Sequence, residues 1–232
     1  EMAYAMHAVG FEVYDIHMTD LIEGRKTLEE FKFIAAVGGF SNSDVLGSAK
    51  GWAGAFLYNP KAKKSLDDFF ARKDTLSLGV CNGCQLFIEL GLITPDHKPL
   101  PKMLQNDSGK FECQFTALNI GPSSSIMMQG LEGSTLGIWA AHGEGKFHLP
   151  LESSQYQIPA QYHQPVYPAN PNGSDYSAAM LCSEDGRHLV MMPHLERSTF
   201  PWNWAHYPQG RDDVFSPWIT AFENANQWLD KK

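Results

Sequence analysis

Five consecutive residues, Gly79-Val80-Cys81-Asn82-Gly83, set a thiol between two glycines. This spacing predicts a sharp turn from a buried strand into a helix, which tolerates only residues without bulk on either side. Such a turn lifts the sulfur out at the carboxyl end of a sheet, where open α/β folds bind ligands. The N–H groups and positive dipole end of the following helix favour a thiolate there. Cys84 completes a Cys-x-x-Cys pair, so the same residues also read as a dithiol redox centre, or as a buried structural cysteine beside a glycine turn. A zinc site would need two further ligands at suitable spacing, and Cys113 and Cys182 stand alone.

A nucleophilic cysteine needs a base, and nine histidines compete for that task. His194 stands out in Met192-Pro193-His194-Leu195-Glu196, directly after an apolar strand pattern. In extended chain, residues two apart face the same way, so Glu196 is placed to orient the His194 imidazole. His142, in Ala141-His142-Gly143-Glu144-Gly145, is the main competitor; its glycine-flanked setting suits backbone contacts to a ligand better than a rigidly held base. An oxyanion would need two N–H donors. Asn82 at the helix start offers one, and Gly39, after the strand pattern Phe31–Val37, offers another.

These residues require elements to hold them. Phe31–Val37 and Thr75–Val80 read as buried parallel strands. Ala49–Tyr58, Leu66–Arg72 and Gln85–Leu90 read as helices, the last capped by Gly91. Ala3–Val9 reads as a helix and Phe11–Ile16 as a strand. Beyond about residue 95 the pattern changes to strands: Phe111–Ile120, Ser125–Met128, Leu136–Ala141, and a hairpin of Ala178–Cys182 and His188–Met192 about the turn 183–186. Pro159–Gly173 reads as a loop rich in proline and asparagine, and 217–229 as an amphipathic helix. The expected fold is α/β: an open, mostly parallel sheet with helices on both faces, in the flavodoxin-like manner, with added antiparallel strands in the second half.

The chain has 232 residues, 43% hydrophobic and 19% charged, with a net charge of −8. That excludes wholesale disorder, and the length suits a single domain over 1–232. No apolar run is long enough to span a membrane. Basic residues cluster only at Lys61, Lys63 and Lys64, which argues against a nucleic-acid face. Four cysteines are too few for a disulfide scaffold and point to a reducing compartment, the cytoplasm. Asn172-Gly173-Ser174 matches a glycosylation sequon, a three-residue pattern that occurs often by chance. Trp202, Trp204, Trp218 and Trp228 crowd the C-terminal end, either to close the core or to form a docking surface.

Taken in order, GGFSNSDVLG (Gly38–Gly47), GVCNGCQ (Gly79–Gln85), AHGEG (Ala141–Gly145) and MPHLER (Met192–Arg197) resemble the triad-type glutamine amidotransferases. Within that group they are most similar to the glutaminase domains of phosphoribosylformylglycinamidine synthases. The tail SPWITAFENANQW (Ser216–Trp228) is similar to that of the large, single-chain forms. The resemblance covers essentially the whole chain and displaces the redox reading. It implies Cys81 as nucleophile, His194 as proton carrier and Glu196 as its orienting acid. It further implies Gly39 and Asn82 as oxyanion donors, with Gln85 and the backbone of Gly143 and Glu144 holding the amino-acid end of glutamine. The implied activity is that of a carbon–nitrogen ligase with glutamine as amido donor. The implied partner is a formylglycinamidine ribonucleotide synthetase domain that uses ATP and magnesium; no cofactor and no metal is expected in this chain. Two departures stand out. The family's first strand, expected ahead of the opening helix, is absent from the chain, and Leu195 replaces a proline common between the histidine and the acid. A catalytically silent regulatory or scaffold domain of the same fold is the alternative.

Overall fold

The computed structural model describes residues 1–231. In chain order its elements are α1 (Met2–Ala8), α2 (Met18–Glu23), β1 (Phe33–Ala36), α3 (Lys50–Tyr58), α4 (Pro60–Ala71), β2 (Leu76–Val80), α5 (Asn82–Glu89), β3 (Lys102–Leu104), β4 (Glu112–Ile120), β5 (Thr135–His142), β6 (Lys146–His148), β7 (Ala160–Tyr162), β8 (Met180–Cys182), β9 (His188–Met191) and α6 (Ile219–Leu229). The main sheet has the order β1-β2-β9-β8. Its first three strands are parallel, and β8 returns antiparallel through the hairpin turn. Each residue of β2 and β9 is buried, as the continuous apolar runs require of central parallel strands. Helices lie on both faces: α5 packs on β1, β2 and β9 and is joined by α3 and, beyond it, α4 and α2, while α1 packs with α6.

Local chemistry sets the helix ends. Asn59 accepts a hydrogen bond from the Ala62 N–H at 3.0 Å and Pro60 opens α4, extending this helix well ahead of the expected Leu66. In α6 the residues Ile219, Ala221, Phe222, Ala225 and Leu229 are all buried, as the amphipathic pattern demands. The Asn226 side chain ties this helix to α1 by donating to the Val9 carbonyl at 2.8 Å. The tryptophans divide: Trp218 is fully buried and donates to the Gly137 carbonyl, closing the core, whereas Trp202 is 73% exposed and stacks on Phe200.

A second, antiparallel sheet of order β5-β4-β7 and a ribbon of β3 with β6 make up the other half. An isolated bridge between Trp139 and His194 joins this sheet to the segment after β9. Three expectations need correction. Phe11–Ile16 forms no strand, because no strand among the described residues lies alongside it. It borders instead a cleft of about 800 Å³ whose opposite wall is the edge of β1 turned away from β2. Extended backbone without a neighbour has nothing to pair its N–H and C=O groups. Ser125–Met128 is a series of turns, in which the Met128 N–H reaches back to the Ser125 carbonyl. The loop over 159–173 contains β7, which pairs with the end of β4.

The closest approach in the main sheet is that of α5 to β1. A Cβ placed on Gly83 would lie 1.9 Å from the Ala36 carbonyl oxygen, and one on Gly79 would lie 2.7 Å from the Gly83 oxygen. Neither obstacle is a flexible side chain, so any added carbon must separate helix from sheet. Gly83→Ala is therefore expected to lower folding stability by about 3 kcal/mol, near the upper end of overpacking costs, as read from urea unfolding of the two proteins. An unchanged midpoint would refute this account of the packing.

Candidate active site

Cys81 sits where β2 gives way to α5, at φ 52° and ψ −107°, a backbone conformation that costs a side-chain-bearing residue energy. Its N–H donates to the Met191 carbonyl of β9, and its carbonyl accepts from the Gln85 N–H, so both neighbours over-determine the strained turn. The thiol points toward the Ala141 carbonyl, 3.6 Å away on β5. A pocket of about 110 Å³ opens over the sulfur, with Gly39, Asn82, Gln85, Gly143 and His194 in its wall. Gly39 has φ +121°, which a residue with a side chain rarely adopts.

His194 reaches this pocket from the opposite direction. Its N–H donates to the Trp139 carbonyl at 2.8 Å, which fixes the backbone against β5. Leu195–Arg197 then forms one 3₁₀ turn, with Leu195 fully buried, so packing fixes the segment that a proline would otherwise stiffen. The turn brings Glu196 Oε1 to 2.6 Å from His194 Nδ1, both residues being buried. His194 Nε2 makes no hydrogen bond within the protein and lies on the side of Cys81. The ring is also close to Gly38, where a Cβ would meet His194 Cε1 at 2.6 Å and Cys81 Cβ at 3.2 Å. Burial by itself pushes the His194 pKa down. The proximity of the Cys81 thiol, with the hydrogen bond and charge of Glu196, outweighs it and raises the value to about 9.

The structure brings the remaining sequence-derived residues together around a turn that follows β5. Gln85 Nε2 donates to the Glu144 carbonyl at 2.8 Å, and Asn82 Nδ2 donates to Gln85 Oε1 at 3.1 Å. The Glu144 carboxylate accepts from the Ser48 N–H at 3.1 Å, tying the turn to the loop after β1. His142, the last residue of β5, is buried with both ring nitrogens unpartnered, and burial followed by the nearby charge of His194 pushes its pKa down to about 4. Cys84 is fully buried on α5, and burial pushes its thiol well above the ordinary range, as expected of an inert packing residue. Among the described residues no grouping of three or more His, Cys, Asp or Glu could hold a metal ion.

Asn106 carries no sequence signal, yet it holds the turn from behind. Its side chain donates to the His142 carbonyl at 2.7 Å and accepts from the Gly145 N–H at 3.0 Å, while its own N–H donates to the Gly143 carbonyl. Asn172 adds a bond to the Gly145 carbonyl at 2.7 Å and one to the Tyr162 hydroxyl. The sequon asparagine is thus wholly buried and its amide is committed to the fold.

The electrostatics of the Cys81, His194 and Glu196 arrangement predict a pH window. A free imidazole loses its proton near 6.5, and one deprived of a carboxylate partner in a buried site loses it at or below that value. His194 keeps its proton to about 9, so between these limits only the intact arrangement presents a cation to the sulfur. Alkylation of Cys81 by iodoacetamide is expected to be about tenfold or more faster in the wild type than in Glu196→Gln near pH 8. The two rates should converge below about pH 6 and above about pH 9.5, with the exposed Cys113 as internal control. Peptide mass mapping gives both rates, and a constant ratio across this range would refute the assignment.

Against protein-family models, residues 1–229 match the CobB/CobQ-like glutamine amidotransferase domain. Over 255 residues the chain is 44% identical to the phosphoribosylformylglycinamidine synthase of Homo sapiens, covering 98% of this chain and 19% of that protein. It is 43% identical over 251 residues to an Arabidopsis thaliana protein named "Probable phosphoribosylformylglycinamidine synthase, chloroplastic/mitochondrial", covering 99% of this chain and 18% of that one. The chain therefore spans about a fifth of the length of these curated relatives. Among solved structures, PurLQS from Thermotoga maritima aligns with a TM-score of 0.75 at 25% identity, over 98% of this chain and 91% of that one. With the family match running through nearly every element that builds the pocket, the chain belongs to the CobB/CobQ-like glutamine amidotransferases.

Proposed function

We propose that this domain hydrolyses glutamine to glutamate and ammonia through a thioester on Cys81. The ammonia passes to a synthetase that converts formylglycinamide ribonucleotide to formylglycinamidine ribonucleotide in purine biosynthesis. The observation that carries this reading is the buried 2.6 Å contact of Glu196 with His194, whose other nitrogen is left for the sulfur at the strained Cys81 turn. Sulfur attacks the carboxamide carbon, and charge developing on the oxygen is met by the N–H groups of Gly39 and Asn82. His194 Nε2 gives its proton to the departing ammonia. Water then attacks the thioester carbonyl, His194 takes the water proton, and glutamate leaves as the C–S bond breaks. Glu196 keeps the imidazole in the tautomer and orientation these steps need. Gln85, through the Glu144 carbonyl, holds the turn at Gly143 and Glu144 against which the amino-acid end of glutamine rests.

The synthetase partner is supported by the relatives, whose names describe the whole synthase and whose length is about five times that of this chain. ATP and magnesium are assigned to that partner. The edge of β1 left without a strand partner and the cleft of about 800 Å³ between it and residues 11–16 support the reading of a single amidotransferase domain short of the family's first strand. No helix among the described residues is long and apolar enough to cross a membrane. The cytoplasm is the compartment we assign, on the strength of the free cysteines.

A glutamine-like diazo-ketone should label Cys81 and spare Cys84, Cys113 and Cys182 in peptide maps. Cys81→Ala should lower glutamine hydrolysis by roughly 10⁴-fold or more, the scale on which removal of a covalent nucleophile acts. Labelling at another cysteine, or wild-type protein without turnover in the presence of its synthetase, would overturn the reading in favour of a silent scaffold.

A further inference from the structure

Besides Cys81 and the two histidines, the wall of the pocket carries two ionisable side chains, one of each sign: Asp44 and Arg197. Neither is engaged in the arrangement around the sulfur. Asp44 lies on the loop after β1, at φ 47°. Its carboxylate accepts from the Ala49 N–H at 3.1 Å, from Asn82 Nδ2 at 3.2 Å and from Ser41 Oγ at 3.3 Å. All three donors are neutral, and no cation among the described residues pairs with it. Arg197 ends the 3₁₀ turn that positions His194 and Glu196, so its backbone is fixed by the same packing. Its ionic neighbour is Glu1, 3.6 Å away and largely exposed, a contact worth little in water. The same wall carries the exposed rings of Phe40 and Phe111, with centroids 6.4 Å apart.

A ligand that satisfies this wall carries an anion and a cation at one end, a short apolar stem, and at the other end an electrophilic carbon over the sulfur. Resting on the glutaminase reading above, we propose that Arg197 binds the α-carboxylate and Asp44 the α-ammonium of glutamine. The pocket then selects a free α-amino acid by charge at both α-substituents. The four carbonyls of the turn at 142–145 already accept from Asn106, Gln85 and Asn172, so a side-chain carboxylate supplies the acceptor that an ammonium needs. The assignment also accounts for an anion held by neutral donors near the Asn82 end of α5. Unneutralised, Asp44 would oppose negative charge forming beside it; an ammonium on the substrate removes that opposition when the pocket fills.

Equilibrium binding to Cys81→Ala protein in its native assembly, which cannot form the thioester, isolates recognition from hydrolysis. Three probes are titrated: glutamine, 4-aminobutanamide (no carboxylate) and glutaramate (no amino group). The parent should bind both analogues at least about tenfold more weakly than glutamine. Adding Arg197→Gln should weaken glutamine by about 10- to 100-fold, the range for losing one charge-assisted hydrogen bond, and leave 4-aminobutanamide unchanged, with Arg197→Lys recovering part of the loss. Adding Asp44→Asn should weaken glutamine similarly and leave glutaramate unchanged. The proposal is overturned if glutamine binding is indifferent to both substitutions, if each weakens glutamine and its truncated analogue equally, or if the parent binds all three probes alike. Turnover of protein with Cys81 intact is read separately. Absent hydrolysis with the charge pattern present refutes the glutaminase reading and not the two charge contacts, whereas hydrolysis without the pattern refutes the contacts alone.

Discussion

Helix α5 can begin where it does only because Gly83 lies against the backbone of β1, leaving no room for a single added carbon. The placement of Cys81 follows from that contact. With the helix pressed onto the sheet, the chain must turn from β2 into α5 within one residue, and Cys81 takes the strained conformation that such a turn requires. The strain is held in place by backbone bonds to β9 on one side and to Gln85 on the other. The Cys81 backbone is therefore positioned by the main sheet and its helix, and the thiol meets the Ala141 carbonyl of β5.

The other half of the pocket depends on the antiparallel sheet. Strand β5 offers its Trp139 carbonyl to His194, its Ala141 carbonyl to the Cys81 thiol, and its terminal residues to the turn that Asn106 and Gln85 hold. The parallel sheet supplies Cys81 and, just after β9, His194 and Glu196, while β5 contacts both the His194 N–H and the Cys81 thiol. The parallel part of the main sheet is three strands wide among the described residues, and the antiparallel sheet faces the pocket that opens at its carboxyl end.

What the sequence made legible, and what it hid, follows the range of the interactions concerned. The Cys81 turn and the His194–Glu196 pair are local devices, each written within five or six residues, and both appear where their spacing predicts. The hairpin of β8 and β9 is equally local. Phe11–Ile16 has the composition of a strand, but a strand exists only where another backbone pairs with it, and alternation within six residues carries no information on that neighbour. Asn106 is hidden for the related reason that a single asparagine in a loop looks like any turn residue. Its value lies in three backbone groups some thirty-six to thirty-nine positions away. Leu195 is an intermediate case: as a departure from proline it suggests a looser backbone, whereas its full burial supplies the missing rigidity by packing.

The two buried histidines of the pocket show how much of the chemistry is decided by neighbours. His142 ends β5 and His194 follows β9, and both lie against the site and lose solvation on folding. Burial alone would make each a neutral ring. His194 escapes that outcome because Glu196 and Cys81 reward its charge, and the charge it then carries drives His142 further toward neutrality. One site thus holds a charged imidazole beside the sulfur and an uncharged one a short distance away, without competition for a single proton. A second cationic ring would destabilise an imidazolium next to it, and a carboxylate beside His142 would make that ring a rival base. Glu144, two residues along the chain from His142, turns its carboxylate to the Ser48 N–H, and neither ring nitrogen of His142 has a hydrogen-bond partner.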